Sequence, residues 1–173
     1  LVEDEYVWMD KFTMRNLELY TSNSVGAVTL LDTIDFTISP MGGRLLKRWL
    51  ALPLKDVDQI RNRHEIVRFL IQNETYLSKQ SSQISMISDL ERLISKVATG
   101  RISPREVVSL KDSLQVLIEV KNNVDDSSNA SINTLIEQID LCQKLTNRIE
   151  VTLEDNAPVH INKGKVIKNG VSE

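Results

Sequence analysis

The stretch Ser103-Pro104-Arg105-Glu106-Val107-Val108-Ser109-Leu110-Lys111-Asp112-Ser113-Leu114-Gln115-Val116-Leu117-Ile118-Glu119-Val120-Lys121-Asn122-Asn123-Val124 decides the fold. Ser103 and Glu106 stand at the spacing of a capping box, in which each side chain takes the other's backbone N–H. Pro104 suits the first helical position, where its missing N–H is no loss. Behind this start Val107, Leu110, Leu114, Leu117, Lys121 and Val124 step alternately by three and four. That is a heptad seam with one lysine in it. The pattern predicts a helix from Pro104 to Val124, roughly 30 Å long at about 1.5 Å per residue. The seam is either a core stripe or a surface that offers part of its length to a partner domain. Lys121 favours an end that leaves the core, because its ammonium group must reach solvent. Ser113 sits off the stripe and is expected to face outward, so that Ser113→Ala should be silent.

Working outward toward the N-terminus, Ser88-Asp89-Leu90-Glu91 reads as another capping box with Ser88 as the cap. Leu90, Leu93, Ile94 and Val97 follow at helical spacing, and Gly100 suits the position after a helix end. Tyr76 to Met86 is a weaker helix, separated by Asn73 from one that Asp56 caps. The apolar positions of that helix are Val57, Ile60, Val67, Leu70 and Ile71. Ser39 and Pro40 start another helix, which ends before Pro53 and carries Leu45, Leu46, Trp49 and Leu50 on one face. Val28, Leu30, Leu31 and Ile34 predict a short helix with Asp32 and Asp35 outward, after a polar break over Thr21-Ser22-Asn23-Ser24. The first 20 residues read as extended. Tyr6-Val7-Trp8-Met9 and Leu17-Glu18-Leu19-Tyr20 are β-prone, with a loop from Asp10 to Asn16 between them.

Toward the C-terminus, Asp125 to Asn129 is a polar loop. Ile132, Leu135, Ile136 and Ile139 mark one amphipathic stretch, and Leu145, Ile149 and Leu153 another. Val159-His160-Ile161, Val166-Ile167 and the glycines at 164 and 170 then predict short extended pieces with turns. The fold class expected is mainly α: a multi-helical domain with one long lever-like helix and short β pieces near residues 6–20 and 159–171.

Composition agrees with a helical globular domain. Of 173 residues 41% are hydrophobic and 26% charged, while aromatics reach only 5%, with four prolines and six glycines. Such a chain is long enough for a real core and poor in the turn residues of a sheet sandwich. Net charge is -3, with basic and acidic residues interleaved, so no general affinity for nucleic acid follows. Cys142 is the single cysteine, which excludes an internal disulfide and a cysteine-based metal site. No apolar run reaches the length of about 18 residues that spans a membrane. The chain opens at Leu1 rather than Met and ends at Val171-Ser172-Glu173 without a terminating element, so a piece of a longer polypeptide is expected.

Groups that could carry chemistry are few. The acid pairs Asp4-Glu5 and Asp125-Asp126 read as solvated charge. His64 and His160 lie far apart, and His64 reads as a boundary residue beside an apolar stripe. Ser39-Pro40-Met41-Gly42-Gly43-Arg44 is the most phosphate-like element, with glycines and an arginine at a helix N-terminus. It lacks both P-loop and dinucleotide spacing. The competing reading, that small residues permit close packing of the first turn, is preferred. Trp49 reads as a core anchor rather than a ligand platform. No catalytic, cofactor-binding or metal-ligating residue is assigned.

Longer motifs carry a family resemblance. Trp8-Met9-Asp10-Lys11-Phe12-Thr13-Met14-Arg15-Asn16-Leu17-Glu18-Leu19 resembles the entry to the core domain of MutS proteins. Leu30-Leu31-Asp32-Thr33-Ile34-Asp35-Phe36-Thr37-Ile38-Ser39-Pro40-Met41-Gly42-Gly43-Arg44-Leu45-Leu46-Lys47-Arg48-Trp49-Leu50, with Pro53-Leu54, is similar to the stretch that follows it. Asp89-Leu90-Glu91-Arg92-Leu93, Arg101 with Pro104-Arg105, and Gly164-Lys165-Val166-Ile167 with Asn169-Gly170 match later parts in family order. Ser39 stands where threonine is frequent, and serine caps as well. Phe12 stands where the family varies.

The resemblance implies the first half of the MutS core or lever domain, residues 1–173 forming a single piece upstream of the clamp. It implies that the parent protein recognises mispaired DNA and couples that binding to its ATPase state, while this piece is not itself an enzyme. ATP and Mg would belong to a part of the parent outside this chain. Implied partners are the other domains of the parent, mismatched double-stranded DNA reached through it, a second copy in a homodimer and a MutL-type protein, with no membrane. The implied location is the bacterial cytoplasm. The resemblance places no DNA-contacting residue on any position here. The alternatives are a helical protein-interaction adaptor and the core of a MutS paralogue acting outside repair.

Overall fold

Local capping chemistry sets most element boundaries. The computed structural model describes residues 5–22, 24, 26–123 and 129–171. Among them it contains α1 (Lys11–Asn16), α2 (Leu30–Ile34), α3 (Pro40–Ala51), α4 (Val57–Gln72), α5 (Glu74–Ser85), α6 (Leu90–Ala98), α7 (Pro104–Asn122), α8 (Ala130–Glu137), α9 (Gln143–Thr152) and a single 3-10 turn (Ile161–Lys163). The predicted mainly helical class is what the chain adopts. It divides into two compact units, Leu1–Gln72 and Asn73–Glu173. No helix among the described residues is long and apolar enough to cross a membrane.

In the first unit the expected strand–loop–strand is replaced by a helix. Asp10 Oδ1 accepts the Thr13 N–H at 2.6 Å and starts α1. The helix ends in a Schellman turn, with the Leu19 N–H donating to Met14 and the Glu18 N–H to Arg15. Glu18 takes the left-handed backbone this turn needs, at φ 48°, although a residue with a Cβ gives up roughly 1–2 kcal/mol there. The β-prone Leu17 to Tyr20 thus becomes a helix exit, since β-propensity yields to local hydrogen bonding and burial. What remains extended is Tyr6, which bridges Leu54 in antiparallel sense. The N–H groups of Leu30 and Leu31 donate to the carbonyls of Glu18 and Leu19, tying α2 to this exit. Thr29 and Asp32 form a reciprocal capping box for α2. Ser39 caps α3 by accepting the Gly42 N–H at 3.1 Å, and Asp56 caps α4 by accepting the Gln59 N–H at 2.7 Å.

Burial departs from the expected pattern. In the first unit Leu19 and Thr29 are the buried residues among those described, and α3 and α4 bury none. The expected core positions Val57, Val67 and Ile71 are exposed. Trp49 is 42% exposed and carries the Arg63 guanidinium 3.7 Å above its ring. It is a stacking platform for a neighbouring arginine rather than a core anchor.

The second unit is built around α7, which packs against α9, α5 and α6. Leu93, Leu110 and Leu114 form the centre of the core, joined by Leu90, Leu117 and Cys142. Helix α6 starts from Asp89, whose carboxylate accepts the Arg92 N–H, and not from Ser88 as expected. Its end follows the expectation. Gly100, at φ 66°, donates to the Val97 carbonyl while Arg101 donates to Lys96, a Schellman turn that a glycine makes without Cβ strain. Asn129 caps α8 by accepting the Ser131 N–H at 2.8 Å. The rest of the predicted polar loop, and Val124, lie outside the described residues. In the tail, residues 161–163 form the 3-10 turn instead of an extended piece, and Leu153 bridges Ile167 in antiparallel sense.

Candidate functional site

The longest helix among the described residues is α7. Nineteen residues of α-helix extend about 28 Å at ~1.5 Å each. Its exposed positions are Arg105, Asp112 and Glu119, seven residues apart, together with Asn122. A rod in water on so narrow a ridge is covered on nearly every side. The sequence already carried that signal. Val108, Val116, Ile118 and Val120 fall off the predicted seam, and a helix apolar on several faces is a buried one.

At its N-terminus the capping box closes as expected. Ser103 accepts the Glu106 N–H, and Glu106 accepts the Ser103 N–H at 3.0 Å. Lys96, from α6, adds an ion pair to Glu106. That hydrogen bond from Lys96, followed by those from the Ser103 backbone and hydroxyl, holds the Glu106 carboxyl down at about 2, from a usual 4.5. Arg105 reaches from the same turn to the Ala157 carbonyl at 3.4 Å.

The middle of the rod is fastened by residues that the sequence reading misplaced. Ser113 is 1% exposed, not outward-facing. Its hydroxyl donates to the Ser109 carbonyl at 2.8 Å and accepts the Ser88 N–H at 3.0 Å. Ser88 and Ser109 share a further hydroxyl contact at 2.7 Å. Ser88, freed from capping, thus stitches the approach to α6 onto α7. A serine beside a leucine stripe faces outward only when one side of the helix is covered, and here α6 covers the flank as well.

Lys111 is the second missed residue. It is buried, with its Nζ 3.2 Å from the Asp155 carboxylate and 3.4 Å from Asp112. Burial pushes its pKa down, but the hydrogen bond and charge of Asp155, aided by Asp112, more than offset this and the net shift is upward. Asp155 is lowered in turn, first by its Lys111 hydrogen bond and then by the charges of Lys168 and Lys111. Lys168 also donates to the Glu150 carbonyl at 2.8 Å. The segment after α9 is therefore clipped to α7 by the Lys111–Asp155 pair, while the tail is held to the exit of α9 by Lys168 and by the Leu153–Ile167 bridge.

At the C-terminal end Gln83 of α5 donates to Glu119 at 3.4 Å and accepts from Asn123 at 3.0 Å. Lys121 is half-buried. Its ammonium group donates to the Ile139 carbonyl at 2.9 Å, just beyond α8. Polar anchors thus occur at the start, middle and end of α7, and they reach α5, α6, the segment after α8, and the tail.

The phosphate-like start of α3 resolves in favour of packing. A Cβ on Gly42 would lie 3.1 Å from Ser39 Oγ, and one on Gly43 would lie 3.2 Å from Thr37 Oγ1 and 3.6 Å from the Asp35 carboxylate. Asp35 is held ionised by hydrogen bonds from the Thr37 hydroxyl and N–H. Ser39, Thr37 and Asp35 thus pack closely against the glycines of this first turn. No group of three or more His, Cys, Asp or Glu side chains suited to a metal occurs among the described residues. His64 and His160 are both exposed and contribute to no shared cluster.

Comparison with known proteins adds a family to this geometry. The family model for MutS domain III matches residues 12–169. The chain is similar to the DNA mismatch repair protein MutS of Flavobacterium johnsoniae, with 53% identity over 173 residues. Those of Flavobacterium psychrophilum and Christiangramia forsetii are 52% identical over 171 residues and 54% over 172. The alignments cover 99–100% of this chain but 20% of each relative, so the chain spans about a fifth of their length.

Proposed function

We propose, since this chain belongs to the MutS family and matches its domain III, that it works as a rigid transmission segment of a DNA mismatch-repair protein. In this reading the parent polypeptide recognises mispaired double-stranded DNA and hydrolyses ATP with Mg, both in parts outside residues 1–173. It acts as a homodimer and engages a MutL-type partner. Helix α7 carries displacement between the nucleotide end and the DNA end of that protein.

One observation supports this reading above the others: α7 is anchored by polar contacts at both ends and in its middle. Coupling between distant sites needs an element that moves as one body and two arrangements whose balance each site can bias. A helix held only by apolar packing can slide along its ridges. One pinned at the Ser113–Ser88, Lys111–Asp155 and Lys121–Ile139 contacts turns its neighbours with it.

The test is a helix breaker placed where it disturbs little else. Asp112 lies on the exposed ridge and leaves Lys111 its Asp155 partner, so Asp112→Pro interrupts α7 without opening the core, at about 3 kcal/mol or more for the lost bond and the clash with the preceding turn. Asp112→Ala keeps the helix and serves as control. In the whole protein, basal ATP turnover should persist in both variants, while the change in turnover caused by mismatched DNA should be lost only with proline. Thermal melting identifies folded preparations. A folded Asp112→Pro protein that still responds to mismatched DNA as the parent does makes α7 a passive spacer.

A further inference from the structure

Near the end of the described tail stands Asn169-Gly170, and Asn169 is the one asparagine in the sequence that a glycine follows. The pair forms a turn, as this dipeptide commonly does, with Gly170 in the left-handed region at φ 83°. Both residues are exposed. A Cβ built on Gly170 would meet nothing within 4 Å, so the space around this residue is open. Among the described residues the Gly170 N–H donates to no carbonyl, and the Asn169 side chain has no hydrogen-bond partner. The last bond that holds the tail lies just before them, from the Lys168 N–H to the Thr152 carbonyl at 2.9 Å. Other asparagines lack this combination. Asn162 is exposed, but the N–H of the Lys163 that follows it donates to the His160 carbonyl at 3.0 Å. The Asn123 amide is bonded to Gln83, and Asn129 caps α8.

We propose that Asn169 is a site of spontaneous modification, converting through a cyclic imide to a mixture of aspartate and isoaspartate. The Gly170 nitrogen gives up its proton to hydroxide and attacks the side-chain carbonyl carbon of Asn169. A bond forms from that nitrogen to Cγ, and the bond from Cγ to the side-chain nitrogen breaks, releasing ammonia. Water then opens the imide. Opening at Cγ gives aspartate, and opening at the main-chain carbonyl gives isoaspartate, in which the chain runs through Cγ. The balance is asparagine plus water to either acid plus ammonia, and nothing is oxidised or reduced. Glycine favours the attack because it brings no Cβ beside the nucleophile and bends freely. An N–H without an acceptor also loses its proton more readily than one held in a helix or bridge. Either product places a new negative charge next to Lys168. Isoaspartate also lengthens the main chain by a methylene. That insertion lies past the Lys168–Thr152 bond, so it redirects the chain beyond Gly170 and leaves the hold on α9 closed.

The full-length protein, incubated at mildly acidic and at neutral pH and then digested, tests this by mass spectrometry of the peptide that holds Asn169. A synthetic peptide of residues 163–173 gives the rate without the fold. Asn169 should convert several-fold faster than any other asparagine of residues 1–173, with isoaspartate exceeding aspartate. The rate should rise toward neutral pH, where the nitrogen gives up its proton more readily. Gly170→Ala should slow conversion several-fold, and Asn169→Gln, which leaves the backbone as it is, should abolish it. Thermal melting shows that both variants are folded. Amide exchange at Lys168 should be the same before and after conversion. An Asn169 that stays intact while the peptide converts would overturn the proposal. So would aspartate without isoaspartate, a rate indifferent to Gly170→Ala, or a Lys168 amide that exchanges faster once Asn169 has converted.

Discussion

The two units of the chain use the same helical vocabulary with opposite economies of surface. In Asn73–Glu173, α7 is enclosed by α5, α6 and α9 and shows water little more than the ridge of Arg105, Asp112 and Glu119. In Leu1–Gln72, α3 and α4 bury no residue, and large apolar side chains such as Phe36, 86% exposed, stand in solvent. Both units nevertheless hold helices that begin with well-made caps, at Ser39, Asp56, Asp89 and Ser103. A cap needs only its own few residues, whereas a core needs cover from elements distant in sequence. Among the described residues capped helices therefore occur in both units, while burial is concentrated in the second.

The sharpest way to break this comparison is to remove matched apolar groups from each side. Leu114→Ala deletes a core leucine of α7 and should cost about 2–5 kcal/mol, whereas Ile71→Ala in α4 should stay within about 0.5 kcal/mol in this chain. Equal losses in urea unfolding would show that the two units bury their helices alike. Next in size is Ser113→Ala. It strands the Ser88 N–H without its acceptor in a buried setting, and a loss of about 1–3 kcal/mol is expected in place of the silence that an outward serine would give. Ser103→Ala removes half of the α7 capping box and should lower stability by roughly 0.5–2 kcal/mol, read as a shift of the urea midpoint. An unchanged midpoint would mean that α7 does not depend on this cap.

The smallest effect is a pH dependence. The Glu106 carboxyl is depressed in the folded chain relative to the unfolded one, so the folded state binds its proton less readily. Its contribution to stability is complete above the usual 4.5 and is withdrawn as pH falls toward about 2. Glu106→Gln should flatten the melting temperature across that window relative to the parent. A parent-like slope in the variant would assign the acid sensitivity to other carboxylates. The effect is modest, because Lys96 and Glu106 remain partly open to water and salt screens them.

Much of the fold was legible because its signals are local. The Ser103–Glu106 box with Pro104, the Ser39–Pro40 start, Asp56, the break at Asn73 and Gly100 each act within a turn or two of themselves. The candidate site was legible only in outline. The long helix could be read, but its fasteners could not: Ser88 bonds a serine 25 residues away, Lys111 an aspartate 44 residues away, and Arg105 a carbonyl 52 residues away. Lys121 misled in the same way, because an ammonium group inside an apolar seam can satisfy itself on a backbone carbonyl as well as in water.

The sequence by itself determined most of the helices, with α1 and the 3-10 turn misread as extended, where many of them start and stop, and the family to which the chain is related, since capping, periodicity and motif order are all properties of near neighbours along a chain. Tertiary structure alone decided which faces are buried. Ser113 and Val67 both sit on good helices, and one is sealed while the other is bare. The apolar residues on several faces of α7 signal burial of the helix as a whole, but which neighbour seals Ser113 is a relation between surfaces brought together by the fold.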